Sequence, residues 1–327
     1  MNAPMRLETD RPTAWPALDL RGEYRSTPRD FLVEETLAFE PDGAGAHRFL
    51  YIEKQLANTE TIGNDLARHF GVARMAVSFA GRKDRRAIAR QWFSVETPRD
   101  DAPVLPVGCS VLRATRHARK LRRGELAANA FTIRLAALEG DRAALATCLD
   151  LLAKHGFPNY FGEQRFGRGG ANVGRAHAFL TDRRKRAAAS AFEKGLYLSV
   201  GRAVLFNAVL GARVRAGTWN ATLPGEVERD GAPTGPLWGR GRSEAALCAG
   251  AIEAAALAPY ADWRDALEHV GLRQDRRALV ARPRNLAVTW TSDGATLRFA
   301  LAPGSYATQL LCELGRLTAA STEACAQ

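Results

Sequence analysis

Lysine is scarce in this chain. It occurs only at Lys54, Lys83, Lys120, Lys154, Lys185 and Lys194, six of 46 basic residues, so arginine carries the formal net charge of +11. A guanidinium binds phosphate through a planar two-pronged contact where an ammonium acts as a point charge, and this balance suits a nucleic-acid partner. A GC-rich coding sequence would give the same composition, so composition alone does not separate the two readings. Cysteine is sparse as well. Cys109, Cys148, Cys248, Cys312 and Cys325 are odd in number and scattered, with no Cys-x-x-Cys, which argues against a disulfide framework or a zinc knuckle. No apolar run is long enough for a membrane span, and "MNAPMRLETDRPTAWPALDL" lacks an apolar stretch behind a basic lead. Neither a span nor a signal peptide is expected, and the expected compartment is the cytosol.

Several catalytic signatures are also missing. The phosphate-binding pattern G-x-x-x-x-G-K-[ST] does not occur, and "GRGGANVG" has neither a preceding strand nor dinucleotide-site spacing. The six histidines never pair at ligand spacing, and there is no G-x-S-x-G. No cofactor and no metal are therefore expected. What remains is carboxylate chemistry.

With 327 residues, 46% of them hydrophobic, the chain can bury a substantial core and is long enough for two domains. From 20 to 95 the pattern reads strand, strand, helix, strand, strand. In that helix Ile62, Leu66, Ala67 and Phe70 fall on one face, Thr59 or Thr61 is a candidate cap and Gly71 a stop. "CSVLRATRHARKLRRGELAANAFTIRLAAL" reads as two strands around a polar loop, followed by a helix that starts at Asp141 and stops at Gly156. Beyond "FPNYFGEQRFGRGGANVG" the chain becomes alanine-rich and helical, broken by the Pro/Gly-rich "LPGEVERDGAPTGPLWGRGRSEA". Strand character returns at "VTWTSDGATLRFAL", a hairpin turning at Asp293-Gly294. The expected organisation is an α/β (α+β) domain over 1–154 and 282–327, interrupted by a helical insertion over 155–281.

Asp84 lies in "FAGRKDRRAIARQWFSV" among Arg82, Lys83, Arg85, Arg86 and Arg90. A short helix beginning at "DRRAIAR" would make it an ordinary N-cap. The cations allow a second role, an anionic carboxylate available as a nucleophile. A second basic run carries Arg113, Arg116, Arg119, Lys120, Arg122 and Arg123 with no acid before Glu125. Such a run is a solvated face unless a polyanion neutralises it. Phe131 in "NAFTIRL" reads as core or as a base-stacking platform, and "PNYFGEQRFG" mixes aromatics with Gln164 and Arg165 as RNA sites do.

"FAGRKDRRAIARQWFSV", "ARKLRRGELAANAFTIRL", "PNYFGEQRFGRGGAN", "GRAVLFNAVLGARV" and "LAPGSYATQLLCEL", in this order, resemble the tRNA pseudouridine synthase D family (TruD). So does "STPRDFLVEETLAFEPDGAGAHRFLYIEKQ", and the resemblance runs from about residue 25 to about 315. It implies a pseudouridine synthase fold, an antiparallel-rich mixed sheet with helices and an insertion domain. It also implies an isomerase that converts uridine to pseudouridine at position 13 of tRNA, with no cofactor or metal. On that resemblance Asp84 is the catalytic aspartate. Asn129 and Phe131 would meet the flipped base, Phe31 would line its pocket, Tyr306 would complete it, and Lys83 would bind substrate. Arg116, Arg119, Lys120, Arg122 and Arg123 would contact RNA. Two residues depart from the family pattern: Arg25 stands where relatives commonly carry lysine, and Tyr306 where they often carry phenylalanine. An arginine at 25 would still pair with the carboxylate, bidentately. No partner other than tRNA is implied, and a monomer is expected because no heptad pattern is present. The rival class is a non-catalytic RNA-binding protein on the same scaffold, which would bind without forming product.

Overall fold

Strands form where side chains alternate between core and solvent, and the first half of the chain is built this way. A computed structural model of the chain describes residues 11–320. Cys325 and the first ten residues of the segment read for a signal peptide lie outside them. In order come β1 (Arg21–Tyr24), β2 (Phe31–Leu37), β3 (His47–Lys54), α1 (Thr59–Phe70), β4 (Val77–Phe79), β5 (Ile88–Glu96), β6 (Cys109–His117), β7 (Leu126–Glu139) and α2 (Arg142–His155). Next are β8 (Phe157–Pro158), α3 (Glu163–Phe166), α4 (Ala171–Thr181), α5 (Arg183–Ala188), α6 (Ala191–Arg215), β9 (Glu228–Arg229) and β10 (Ala232–Leu237). They are followed by α7 (Leu247–Leu257), α8 (Ala261–Glu268), β11 (Asp275–Ala278), β12 (Val280–Ala281), β13 (Arg284–Trp290), β14 (Ala295–Leu301), α9 (Ala307–Cys312) and β15 (Arg316–Ala319).

One compact unit comprises Leu18–Ala153, Pro283–Gly304 and residues 314–320. Among its described residues ten strands share a sheet, ordered β13-β14-β7-β2-β5-β3-β6, with β1 pairing β7 and β15, and β4 pairing β5. The pairs β1–β15 and β2–β5 are parallel and the other described pairs antiparallel, so the antiparallel-rich mixed sheet that the resemblance implies is present. On α1, Ile62, Leu66, Ala67 and Phe70 are buried against Leu50 and Ile52 of β3 and Phe93 and Val95 of β5. Gly71 ends the helix at φ +65°, a left-handed stop. Asn58, rather than Thr59 or Thr61, occupies the N-cap. Asp141 does cap α2, accepting from the N–H groups of Ala143 (2.8 Å) and Ala144 (3.2 Å). The β13–β14 turn requires Gly294, where a Cβ would stand 1.9 Å from the Leu135 carbonyl oxygen.

No helix begins at Asp84. Residues 85–87 form a turn that leads straight into β5, whose Ile88 pairs in parallel with Leu32. Pairing with β2, β3 and β4 therefore decides the local structure against the helical reading of "DRRAIAR".

The second unit gathers residues 11–17, Lys154–Arg282 and Ser305–Glu313. Its core surrounds α6, which packs on α4, α7, α8 and β10. Among the described residues α6 alone is long and apolar enough to cross a membrane; half of its apolar stretch is buried in this core. Near its end Arg213 pairs with Glu226 at 2.7 Å, both buried. The stretch expected to be helical also carries strands. A three-stranded sheet, β11-β10-β9, lies within it, and Asp230 (φ +51°) and Gly231 (φ +69°) make the turn joining β9 to β10. That Asp-Gly pair is a hairpin signal inside the Pro/Gly-rich interval read as a break.

Candidate active site

The centre of the first unit's sheet brings the site residues into register. β2 runs beside β7 with Phe31 opposite Ile133, Val33 opposite Phe131 and Glu35 opposite Asn129. β14 continues the face with Phe299 opposite Phe131. Because directly paired residues share a face, Phe31, Phe131 and Phe299 form an aromatic row. Phe31 and Phe131 meet edge-on at 6.1 Å, and Phe131 and Phe299 stack at 5.4 Å.

Asp84 lies on the loop between β4 and β5. Its Oδ1 accepts from the Arg86 N–H at 3.0 Å, and its Oδ2 meets Arg25 Nη2 at 2.9 Å. Arg25 itself has φ +63°, a conformation that costs a non-glycine residue about 1–3 kcal/mol. The turn sends its guanidinium over the Phe31 ring, 4.0 Å from the centroid, to the carboxylate. The strained backbone at Arg25 thus places its side chain against the Asp84 carboxylate.

The cations adjacent to Asp84 in sequence are engaged elsewhere. Arg82 pairs with Glu60 at 2.9 Å, Arg90 forks between Glu34 (2.8 Å) and Glu53 (2.7 Å), and Arg85 donates to the Leu56 carbonyl. Lys83 meets Glu35 at 2.5 Å and donates to Asn129 Oδ1 at 2.7 Å. Glu35 is fully buried, and burial pushes its carboxyl up, outweighing the pull of Lys83. Its second oxygen accepts from the Trp92 N–H at 3.0 Å. The loop is fastened further by Thr59, whose hydroxyl accepts from Lys83 N–H (3.1 Å) and donates to Gln91 (2.9 Å).

Lys54, at the end of β3, has no solvent exposure and donates to the carbonyls of Ala57 and Asp84, each at 2.9 Å. Burial presses its pKa down to about 8, partly opposed by Asp84. A depressed lysine pKa means that the unfolded chain binds the proton more tightly. Stability from this group is full above the ordinary value of 10.5 and is lost as pH falls through about 8. A Lys54→Met variant should therefore show a flatter rise of Tm between pH 8 and 10.5 than wild type. Parallel profiles would remove the buried cation from the account.

Glu35 and Lys54 were missed by motif reading, although a signal existed. In "FLVEETL" and "HRFLYIEK" both sit at inward positions of buried alternation, where a charge requires a partner. Among the described residues, no three His, Cys, Asp or Glu side chains converge as a metal would need.

Tyr306 belongs to the second unit. There its hydroxyl accepts from Arg165 at 3.3 Å, and its ring lies 6.4 Å from Phe161. The basic run of the first unit is more neutralised than its sequence implies. Arg116 bonds to Asp100 (2.9 Å) and to the carbonyls of Gly45, Thr97, Pro98 and Arg99. Arg119 pairs with Glu125 at 2.5 Å, Lys120 donates to the Met75 carbonyl, and Arg113 reaches Glu40 at 4.0 Å. Folding brings acids from other segments to these cations. Arg122 and Arg123 are exposed, and among the described residues their side chains form no hydrogen bond or ion pair.

Comparison with known proteins adds a family model described as tRNA pseudouridine synthase D (TruD), which matches residues 14–192. A tRNA pseudouridine synthase D from Cellvibrio japonicus (strain Ueda107) is 43% identical over 320 residues, covering 93% of this chain and 92% of that protein. One from Xanthomonas euvesicatoria pv. vesicatoria (strain 85-10) is 40% identical over 352 residues, covering 94% and 95%. A crystal structure of the Methanosarcina mazei protein assigned as tRNA pseudouridine synthase D superposes with a TM-score of 0.69. It covers 93% of this chain and 95% of that one at 19% identity, a likeness of fold alone.

Proposed function

The chain belongs to the tRNA pseudouridine synthase D (TruD) family, and on that footing we propose that it isomerises uridine to pseudouridine at position 13 of tRNA. It would act in the cytosol as a monomer, with Asp84 as its catalytic residue and residues 155–281 as its insertion domain. The observation that carries this reading is the Arg25–Asp84 ion pair, with Arg25 stacked on Phe31 at the aromatic row.

The reaction balances without a co-reactant. The N1–C1′ bond breaks, the uracil turns, a C5–C1′ bond forms, the C5 proton leaves and N1 gains one. Two starts suit a carboxylate, attack on C1′ or removal of the C2′ proton, and each begins with an Asp84 oxygen at the ribose. A stacked base cannot be reached, so the uridine must be flipped out. Phe131, backed by Phe299, offers the flipped base an aromatic face, and Asn129 offers its edge a polar group. Arg25 orients the carboxylate through its ion pair. Carbodiimide labelling and primer extension on an unmodified tRNA pool should reveal a new stop at uridine 13 after incubation with the protein. Tight binding with no stop would move the reading to a non-catalytic binder.

The basic run divides into two roles. Arg122→Ala and Arg123→Ala should each flatten the log–log salt dependence of tRNA binding by roughly 0.7–0.9 and leave stability within about 0.5 kcal/mol. Arg116→Ala should do the reverse, losing about 1–3 kcal/mol of stability with the slope unchanged, because its partners are in the fold. A changed slope for Arg116→Ala would return that residue to the RNA interface.

A further inference from the structure

We propose that Asn129 is a hydrogen-bond donor of fixed polarity, locked by Lys83 and Glu35, and that it holds a uracil carbonyl both before and after the base turns. The inference rests on the reading of this pocket as a uridine-isomerising site. An ammonium has three donors and no acceptor. The Asn129 atom 2.7 Å from Lys83 Nζ must therefore be the carbonyl oxygen, whichever way an amide is otherwise assigned. Glu35 holds the same ammonium at 2.5 Å, and its own second oxygen is tied to Trp92 N–H. Lys83 is thus fixed, and the Asn129 NH2 is turned to the opposite side. Among the described residues that NH2 donates to no protein group, and it is not sealed from solvent. Asn129 also lies on the sheet face that carries Phe131 and Phe31.

Uracil has a near-symmetry that suits such a donor. Rotation about the N3–C6 axis exchanges N1 with C5 and, with them, C2=O with C4=O. A donor placed at one carbonyl position is met by a carbonyl again when C5 has replaced N1 at the ribose. Cytosine breaks this relation, because its two positions carry a carbonyl and an amine. One fixed donor therefore holds the base in the substrate pose and in the product pose and specifies a dioxopyrimidine. Asn129 contacts the base in this account, while Lys83 and Glu35 act as positioning residues.

The test uses the sulfur of a thiocarbonyl, a weak acceptor, in tRNA assembled from synthetic halves. Affinities of the full-length Asp84→Asn protein, in which no turnover intervenes, are measured for 2-thio and 4-thio forms of uridine and of pseudouridine at position 13. The expected result is a loss of about tenfold at one numbered position in uridine and at the other in pseudouridine. Adding Asn129→Ala should erase both losses. Sensitivity at the same numbered position in both nucleosides, no sensitivity at all, or sensitivity that survives Asn129→Ala overturns the proposal. If the double variant does not fold, the presence or absence of the positional switch in the parent protein decides. Product mapping with wild type reports separately on the reaction, so binding that shows the switch without product would sink the isomerase reading and spare the donor.

Discussion

Asp84→Asn should reduce pseudouridine formation by roughly four orders of magnitude or more while tRNA still binds. The amide has nearly the shape of the carboxylate but only one acceptor oxygen. Asp84 serves two donors, Arg86 N–H at 3.0 Å and Arg25 Nη2 at 2.9 Å. In the variant one of them faces an NH2, and the side chain carries no negative charge to attack C1′ or take the C2′ proton. The groups proposed to meet the base and phosphates, Phe131, Asn129, Arg122 and Arg123, are untouched, so affinity should stay within a few-fold. Carbodiimide labelling and primer extension, run beside a filter-binding titration, give both readouts. A stop at uridine 13 from variant protein free of wild type would remove Asp84 from the nucleophile's role. Loss of binding in proportion to activity would make it a structural residue.

Much of this site was legible in the sequence because its members sit in contiguous motifs. "RKD", "NAF" and "DFLVEE" each occupy one strand or loop, and β2–β7 pairing then aligns them in register. The strand patterns of β2, β3 and β7 were equally plain, whereas the start of β5 read as a helix because its strand is buried on both faces and does not alternate. Sequence proximity misled about charge. Asp84 is surrounded in the chain by cations that fold toward Glu60, Glu34, Glu53 and Glu35, while its partner Arg25 arrives from a turn distant in sequence. Pairing of this kind depends on tertiary register and leaves no local signature. Arg116 shows the same effect, its compensating Asp100 and carbonyls coming from other segments. Strand β10 escaped because Pro233, Gly235 and Pro236 within it read as breakers, although Asp230-Gly231 marks the turn before it.

Glu35→Ala should cost about 3–5 kcal/mol, a large share of a domain's usual stability of about 5–15 kcal/mol. The glutamate side chain is 0% exposed and that of Lys83 is 9% exposed, so the variant leaves an ammonium in the sheet with only the Asn129 carbonyl as partner. It also leaves the buried Trp92 N–H without its acceptor. Burial already opposes the ionised carboxyl, so the pair need not be better than an apolar one. The damage comes from breaking it on one side. Glu35→Leu combined with Lys83→Met should therefore recover most of the stability lost by Glu35→Ala, as read from urea unfolding, while activity stays low because Asn129 is no longer locked. Glu35→Gln should fall between, keeping an acceptor for one of the two donors while its NH2 faces the other. An alanine variant as stable as wild type would mean that water or a shifted side chain satisfies Lys83. The polarity of Asn129 would then not depend on Glu35, and stability and base recognition, coupled here through one buried ammonium, would separate.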